Sequence, residues 1–254
     1  MGLRKAIIRK PDESIVNGIT TAQLGKPDFT KASEQHSEYA DALRKCGLDV
    51  ICIEPDTQYP DSVFIEDTAV VTKNFAIITH PQPESRKGET AATEETLKKI
   101  FSSLEFIKPP GTLEGGDVMK AGSHFFVGLT NRTNKEGAKQ FNDIVKKFGY
   151  TSSAVVINGL LHLKTGMSFL ENNTLLITRK LSKHPAFKDY SKITVDSEEE
   201  YAANSLWIND TVIVPQDFPQ THGKIQRAGY HTIQLNMSEF RKLDGGLSCL
   251  SLRF

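Results

Sequence analysis

The sequence has few cysteines, no long apolar run and no excess charge of either sign. Its three cysteines, Cys46, Cys52 and Cys249, lie at unrelated spacings without a Cys-x-x-Cys pair, which argues against a disulfide framework or a structural zinc site. No apolar run approaches the roughly 20 residues that span a bilayer. The 31 basic residues balance the 31 acidic ones, so neither nucleic acid nor membrane is expected as a partner. These features predict a cytoplasmic protein.

Nucleotide-binding loops are also missing from the sequence. It has neither a G-x-G-x-x-G fingerprint nor a Gly-rich phosphate loop, so we expect no nucleotide or redox cofactor. With 254 residues, 38% of them hydrophobic, the chain can bury a sizeable core. No Pro- or Ser-rich linker interrupts it, which predicts one domain over residues 1–254. The oligomeric state is not legible from the sequence, and a homodimer is one of the states we expect.

Hydrophobic periodicity predicts short strands that alternate with a few helices. The helical pattern covers residues 30–46, 89–101 and 134–148, and each segment ends at a Gly or in a Pro/Ser-rich turn. Apolar β-branched runs predict strands. These lie at residues 6–9, 50–53, 69–72, 76–79, 125–129, 154–157, 175–178, 211–214 and 231–235.

A weak internal repeat recurs at intervals of about 40 to 50 residues, the spacing of propeller-like arrays. Each copy begins with small or acidic residues and continues as strand, polar turn and strand. The copies are EDTAVVTKNFAIITHP, GGDVMKAGSHFFVGL, TGMSFLENNTLLIT, AANSLWINDTVIVP and GGLSCLSLRF. A hairpin cannot bury its apolar face alone, so we expect one cooperative body with the five leading edges near its centre.

Cys249 is the strongest candidate for a chemical role. It follows a Gly-Gly pair that permits unusual backbone angles, and it is the sixth residue from the C-terminal end of the sequence. A buried cysteine in a terminal strand is the ordinary alternative. A nucleophilic thiol needs a proton acceptor, and His162 is the histidine that lies in an apolar, strand-like segment ahead of a glycine turn. By itself, His162 is more often a satisfied core histidine.

Acidic residues are the third group of candidate site residues, after the cysteine and the histidine. Glu66 and Asp67 are adjacent, so on a strand they point to opposite faces and one of them turns inward. Glu114 lies in LEGGDV and Asp61 follows a Tyr-Pro pair. An acid buried at the centre needs a cationic partner, and a planar guanidinium is the natural one because it pairs bidentately with carboxylates.

Five blocks of the sequence resemble the dimethylarginine dimethylaminohydrolases. The blocks are PDSVFIEDTAVV, GTLEGGDV, LLHLKTGMSFLENN, YAANSLWIND and KLDGGLSCLSLRF, and they run in order along almost the entire chain. The resemblance implies the pentein fold, an α/β propeller with five ββαβ-type units around a pseudo-fivefold axis. It also implies a C–N hydrolase that converts Nω-methylated arginines to citrulline and an alkylamine through a covalent thiouronium on a cysteine.

The resemblance assigns roles to the candidate residues. The nucleophile falls on Cys249, the general acid and base on His162, and the accompanying carboxylate on Glu114. Contacts with the substrate's guanidinium and amino groups fall on three acids, Asp61, Glu66 and Asp67. The family's carboxylate-binding arginines fall on two further positions, Arg86 and Arg132.

Main-chain contacts map onto Ile19 and Leu243. Ile19 lies in NGITTAQLGKPD, which resembles the family's substrate-covering lid, with Gly18 and Gly25 as expected pivots. No metal is required by such chemistry, although zinc bound by Cys249 and His162 would inhibit it. Two other functions stay open at this point. One is an arginine deiminase, agmatine deiminase or amidinotransferase of the same fold, and the other is a non-catalytic binding protein on the same propeller.

Overall fold

A computed structural model of the chain describes residues 2–254 and contains five three-stranded sheets. Four sheets use strands that are consecutive in the chain, and the fifth joins the two ends of the chain. The strands are β1 (Lys5–Arg9), β2 (Asp49–Ile53), β3 (Ala69–Val71), β4 (Ala76–Ile78), β5 (Leu104–Phe106), β6 (Val118–Ala121), β7 (His124–Leu129), β8 (Thr151–Val156), β9 (Met167–Phe169), β10 (Thr174–Thr178), β11 (Ser191–Val195), β12 (Leu206–Ile208), β13 (Thr211–Pro215), β14 (His231–Leu235) and β15 (Leu252–Arg253).

Five α-helices connect or flank the strands. They are α1 (Phe29–Lys45), α2 (Thr90–Lys98), α3 (Lys135–Lys147), α4 (Pro219–Arg227) and α5 (Ser238–Arg241). Asp28 caps α1 and Asn134 caps α3, because each side chain accepts a hydrogen bond from a backbone N–H of the first turn. Within residues 2–254, no helix is both long and apolar enough to cross a membrane.

Each sheet repeats one ββαβ topology. The first strand pairs antiparallel with the second, and the second pairs parallel with the third, as in β6, β7 and β8. A helix crosses between the second and third strands in four sheets, whereas two 3-10 turns, Leu181–Lys183 and Pro185–Phe187, make this connection between β10 and β11. We call each sheet with its connection a blade. Blades one to four begin at β3, β6, β9 and β12, and blade five is β15-β1-β2.

The five blades surround a common centre. First strands of neighbouring blades contact each other, as β6 does with β9 and β9 with β12. In the fifth blade β15 pairs with β1, where Ala6 faces Arg253, so the C-terminal residues close the ring with the N-terminal ones. The fold is therefore a five-bladed pseudo-fivefold α/β propeller, as the repeats and the resemblance predicted.

Burial explains which strands the sequence reveals. The middle strands β10 and β13 are buried at four of five positions and read as continuous apolar runs. Inner strands such as β9 have only three residues, too few to show a period. The nine strands and three helices predicted above match observed elements to within a few residues. The sequence patterns did not predict helices α4 and α5, because α4 is polar and α5 has only four residues.

Candidate active site

Short 3-10 helices surround the centre of the propeller, and each one precedes the first strand of a blade. They span Ile65–Thr68, Gly115–Asp117, Leu163–Thr165, Ser197–Ala203 and Ser248–Leu250. Neighbouring members of this ring contact one another. Because the propeller repeats, side chains that are far apart in the sequence meet at one end of its central axis.

Three local expectations need correction. Glu66 and Asp67 lie on a 3-10 helix rather than on a strand, so burial of both does not follow strand alternation. His162 immediately precedes a 3-10 helix and is not part of a strand. The left-handed backbone angle near Cys249 belongs to Asp244, with φ of 59°. The following glycines serve close packing instead, since a Cβ at Gly246 would lie 2.5 Å from the Asn204 side chain.

Nine of the ten predicted site residues gather at one end of the axis. Eight of them line a single narrow cleft of about 30 Å³, together with residues that the sequence had not marked: Phe64, Leu161, Asp244 and Gly245. The eight predicted residues in its wall are Ile19, Asp61, Asp67, Arg86, Arg132, His162, Leu243 and Cys249. Glu114 lies just behind, hydrogen-bonded to His162 and Arg132.

His162 is surrounded by carboxylates. Its Nε2 lies 2.7 Å from Oε2 of Glu114 and 3.9 Å from Oδ1 of Asp67. Asp117 holds the adjacent turn, because its Oδ1 accepts a 2.9 Å hydrogen bond from Leu163 N–H. Burial alone would lower the pKa of His162, but the charges of Asp67, Asp117 and Glu114 outweigh it and raise that pKa to about 9. The imidazole is therefore protonated at neutral pH.

Cys249 has the opposite electrostatic balance. Burial, together with the negative charges of Glu66 and Asp67, raises the pKa of its thiol to about 12. The Gly246 N–H lies 3.4 Å from Sγ and opposes this shift by donating to the sulfur. The resting site therefore pairs a neutral thiol with a protonated imidazole. A cation that entered the cleft would favour the thiolate.

Asp67 is held by groups on three sides. Its Oδ2 accepts a 2.7 Å hydrogen bond from Arg86 Nη1, and its Oδ1 accepts one of 2.9 Å from Gly116 N–H. Although burial opposes ionisation, His162, Arg86 and the Gly116 amide lower the pKa of Asp67 to about 2. Asp67 is thus a fixed anion in the cleft wall.

The two arginines differ in how the protein engages them. Arg86 is buried and donates to both oxygens of Glu89, at 2.7 to 3.0 Å, as well as to Asp67. The side chain of Arg132 is 15% exposed and reaches only one oxygen of Glu114, at 3.3 Å. Arg132 is therefore the more available donor for an anionic group, and Arg86 also orients Asp67.

Glycines permit the close approach of these segments. A Cβ at Gly116 would lie 2.6 Å from Nδ1 of His162 and 3.0 Å from Oδ1 of Asp67. A Cβ at Gly115 would lie 1.9 Å from the carbonyl oxygen of Glu66. The Gly-Gly pair of LEGGDV is therefore required for the acid, the imidazole and the second carboxylate to share one space.

A segment that carries Ile19 covers the mouth of the cleft. Ile19 N–H donates to Asp61 at 3.0 Å, and Thr21 N–H donates to Asp244 at 2.6 Å. Gly25 has φ of 80°, as a pivot would, whereas Gly18 does not have a positive φ. The cleft beneath this segment is narrow, at about 30 Å³, so we expect the segment to move when an amino acid enters.

Glu66 is the predicted substrate contact that the structure does not bring to the cleft. Glu66 instead lines a separate, larger cavity of about 220 Å³, which we call the rear cavity. There it accepts hydrogen bonds from Lys164, Arg253 and Ser248. The turn of a 3-10 helix, which sends adjacent side chains in different directions, separates it from Asp67.

One cluster has the composition of a metal site. Ligand atoms of Asp67, Glu114 and His162 lie within 4.8 Å of one another. The same carboxylates already face the cations of Arg86 and Arg132 and the protonated imidazole. A planar organic cation fits this arrangement as well as a metal ion does, because it can donate hydrogen bonds to several carboxylates around its edge.

Comparisons with known proteins identify the family of this chain. Residues 20–215 match the family model for eukaryotic N,N dimethylarginine dimethylhydrolases. A protein named N(G),N(G)-dimethylarginine dimethylaminohydrolase from Pseudomonas aeruginosa is 47% identical, covering 98% of both chains. The chain belongs to the dimethylarginine dimethylaminohydrolase family. Another relative with this name, from Streptomyces coelicolor, is 33% identical over 100% of this chain and 98% of its own.

Solved structures of dimethylarginine dimethylaminohydrolases superpose closely on this chain. One is the C249S mutant of the Pseudomonas aeruginosa enzyme, complexed with citrulline. It is 46% identical to this chain with a TM-score of 0.99, and the match covers 100% of both chains. An H162G adduct of a dimethylarginine dimethylaminohydrolase with S-methyl-L-thiocitrulline has a TM-score of 0.97 and 46% identity, with 99% of this chain and 100% of that one covered. The N-terminal domain of ArgZ, an arginine dihydrolase, is 20% identical with a TM-score of 0.87, which shows the shared fold.

Proposed function

We propose that this chain hydrolyses Nω-methylated arginines to citrulline and dimethylamine or methylamine, using Cys249 as the nucleophile. The observation that carries the proposal is the single cleft shared by a cysteine, a protonated histidine and fixed carboxylates. The family supports the reaction, and the mutants in the related structures carry their substitutions at positions numbered 249 and 162. The substrate is a small molecule.

The carboxylates would hold the guanidinium group of the substrate. Asp67 and Glu114 accept charge-assisted hydrogen bonds, which fix the plane of the cation over Cys249. Asp61, with Ile19 and Leu243, would bind the amino end, and Arg132 with Arg86 the α-carboxylate. Guanidinium carbon is a poor electrophile because three nitrogens share its charge, so position and a strong nucleophile are both needed.

Substrate binding would start the chemistry by ionising the thiol. The arriving cation lowers the thiol pKa, and the proton leaves to solvent. Thiolate sulfur then forms a bond to the guanidinium carbon, giving a neutral tetrahedral adduct. His162 donates its proton to the substituted nitrogen, the C–N bond breaks, and the alkylamine departs neutral. A thiouronium cation stays on Cys249.

The second half of the reaction would use the imidazole as a base. Neutral His162 takes a proton from water, and the hydroxide attacks the thiouronium carbon. Collapse of this adduct breaks the C–S bond, releases citrulline and regenerates the thiolate, while the remaining hydroxyl proton goes to solvent. Acid–base catalysis of this type accelerates each step by about 10² to 10⁴-fold.

A direct assay tests the proposed function. The enzyme is incubated with asymmetric dimethylarginine, monomethylarginine, arginine and agmatine, and citrulline-type products and released amines are measured. We expect turnover of the methylated arginines and little of agmatine, which lacks the α-carboxylate that Arg132 would bind. Cys249→Ser should lower turnover by at least about 10³-fold while it still binds citrulline in calorimetry. Citrulline formation by Cys249→Ser at near the parent rate would refute the mechanism.

We further propose that residues 1–254 act as one catalytic domain in the cytoplasm. Pairing between β15 and β1 supports the single unit, because a chain divided between them would leave blade five incomplete. A homodimer is the oligomeric state to test, by light scattering across a concentration series. A constant monomer mass would exclude it.

A further inference from the structure

The carboxylate of Glu66 joins three segments of the central ring. Its Oε2 accepts a 2.7 Å hydrogen bond from Ser248, and its Oε1 accepts bonds of 2.5 Å from Lys164 and 3.1 Å from Arg253. The side chain of Glu66 is 4% exposed, while those of Lys164 and Arg253 are 15% and 14% exposed. We call these four residues the rear tie.

Three of the four residues of the rear tie lie within two positions of a residue of the cleft. Glu66 precedes Asp67, Ser248 precedes Cys249, and Lys164 is in the 3-10 helix that His162 precedes. One buried acid on blade one is therefore bonded to the segments that carry the nucleophile and the imidazole. The 3-10 helices concerned have three or four residues each, so they have little internal stiffness of their own.

Ser248 is held from a second direction. Its N–H donates to Oδ1 of Asn204 at 2.9 Å, and its Oγ accepts from Asn204 Nδ2 at 3.1 Å while donating to Glu66. Arg253 also donates to the Ser248 carbonyl at 3.0 Å. The residue before the nucleophile is thus fixed through its N–H, its hydroxyl and its carbonyl.

We infer that Glu66 is a positioning residue, which sets the placement of Cys249 relative to His162 and Asp67 through the rear tie, and that it does not contact substrate. The inference rests on the proposed function of the cleft. Productive geometry tolerates errors of about 0.5 Å. A displacement of about 1 Å costs on the order of 10²-fold in rate.

Charge and position have opposite effects in this arrangement, which makes the inference testable. Three charged groups lie behind the thiol, Glu66, Lys164 and Arg253. The groups facing it from the cleft wall are Asp61, Asp67, Arg86, Arg132, His162 and Asp244. Glu66→Gln removes a nearby negative charge, so the thiol should ionise more easily. The same change loosens the rear tie, so turnover should nevertheless fall.

The experiment measures both effects in a Cys52→Ser background, because Cys52 is exposed and would also be alkylated. Iodoacetamide labelling of Cys249 against pH, without substrate, should move about one pH unit lower in Glu66→Gln. We expect kcat to fall by about 10 to 100-fold with KM within about threefold of the parent. Ser248→Ala, which keeps the charges, should lower kcat by about three to tenfold with an unchanged labelling profile.

Two further variants complete the design. The double variant Glu66→Gln/Lys164→Met also removes the charge of Lys164, which Glu66→Gln leaves without its carboxylate partner. It should therefore recover part of the lost kcat. Ser205→Ala is the matched control, because Ser205 lines the same rear cavity but its hydroxyl donates to Ala202, outside the tie. It should match the parent in both measurements.

Some outcomes would overturn the inference. An unchanged kcat in Glu66→Gln would do so, as would a KM increase with kcat preserved, which is the signature of a substrate contact. If the parent produces no citrulline, the proposed function itself fails. The labelling profile needs no turnover, so an unshifted profile in Glu66→Gln would independently reject the placement of this carboxylate behind the thiol, on which the inference depends.

Discussion

Replacing Glu114 by Gln tests how the acids control the imidazole. The substitution keeps a similar shape but removes the charge whose oxygen lies 2.7 Å from His162 Nε2. An opposite charge at this range shifts a pKa by about 1 to 3 units. Asp67 and Asp117 stay in place, so we expect the lower half of that range, and the pKa of His162 should fall from about 9 to about 7 or 8.

The kinetic consequence is largest in mildly alkaline solution. At pH 8.5, a group with a pKa of about 9 is about three-quarters protonated, and one with a pKa near 7.5 is only about one-tenth protonated. The leaving amine needs that proton, so the alkaline limb of kcat/KM, which reports the free enzyme, should move about 1 to 2 units lower. The acid limb is set by other groups.

Nuclear magnetic resonance provides an independent readout. The His162 ring resonance is identified among the seven histidines by comparison with His162→Gln, then titrated without substrate. Glu105→Gln is the control, because Glu105 pairs with Lys147 at the surface, outside the site residues. A ring pKa and an alkaline limb that both stay within about 0.3 units of the parent would refute the reasoning.

Three further predictions concern substrate binding, pH stability and the lid. Arg132→Ala should raise KM for dimethylarginine by about 10 to 150-fold through loss of a charge-assisted hydrogen bond, and steady-state kinetics that show an unchanged KM would contradict that role. The folded pKa of His162, about 9, exceeds its ordinary value of 6.5, so its contribution to stability is complete below pH 6.5 and is lost as pH rises through 9. Urea unfolding should show a decrease on the order of 2 to 3 kcal/mol across that window, absent in His162→Gln. Asp244→Ala removes the hydrogen bond to Thr21, so Thr21 amide exchange should accelerate, and an unchanged exchange rate would show that Asp244 does not hold the lid closed.

Much of the fold could be predicted from the sequence because its signals are local. Middle strands such as β10 and β13 are buried on both faces, and their sequences are therefore continuous apolar runs. The leading segments of the repeats marked the central ends of the blades, and the block resemblance placed the cysteine, histidine and acids in one family pattern. Hydrophobic periodicity alone did not mark the inner strand β9, which has three residues and entered the prediction only through the repeat, or the polar helix α4.

Glu66 shows what could not be predicted from the sequence alone. Side by side in the sequence, Glu66 and Asp67 are two equivalent acids, and both were expected at the substrate. Only the turn of the 3-10 helix and the positions of Lys164 and Arg253 decide that one faces the cleft and the other the rear cavity. Asp117 shows the same limit, since its buried hydrogen bond to Leu163 joins residues of different blades.

The sequence by itself determined the repeat, the order of the strands and the residue types that this chemistry requires, because each of these depends on neighbours along the chain. The tertiary structure alone decided which charges face one another. A thiol pKa near 12 and an imidazole pKa near 9 arise from burial and from carboxylates tens of residues away in the sequence. Such shifts depend on distance in space and on the exclusion of water, and neither is encoded in any local pattern.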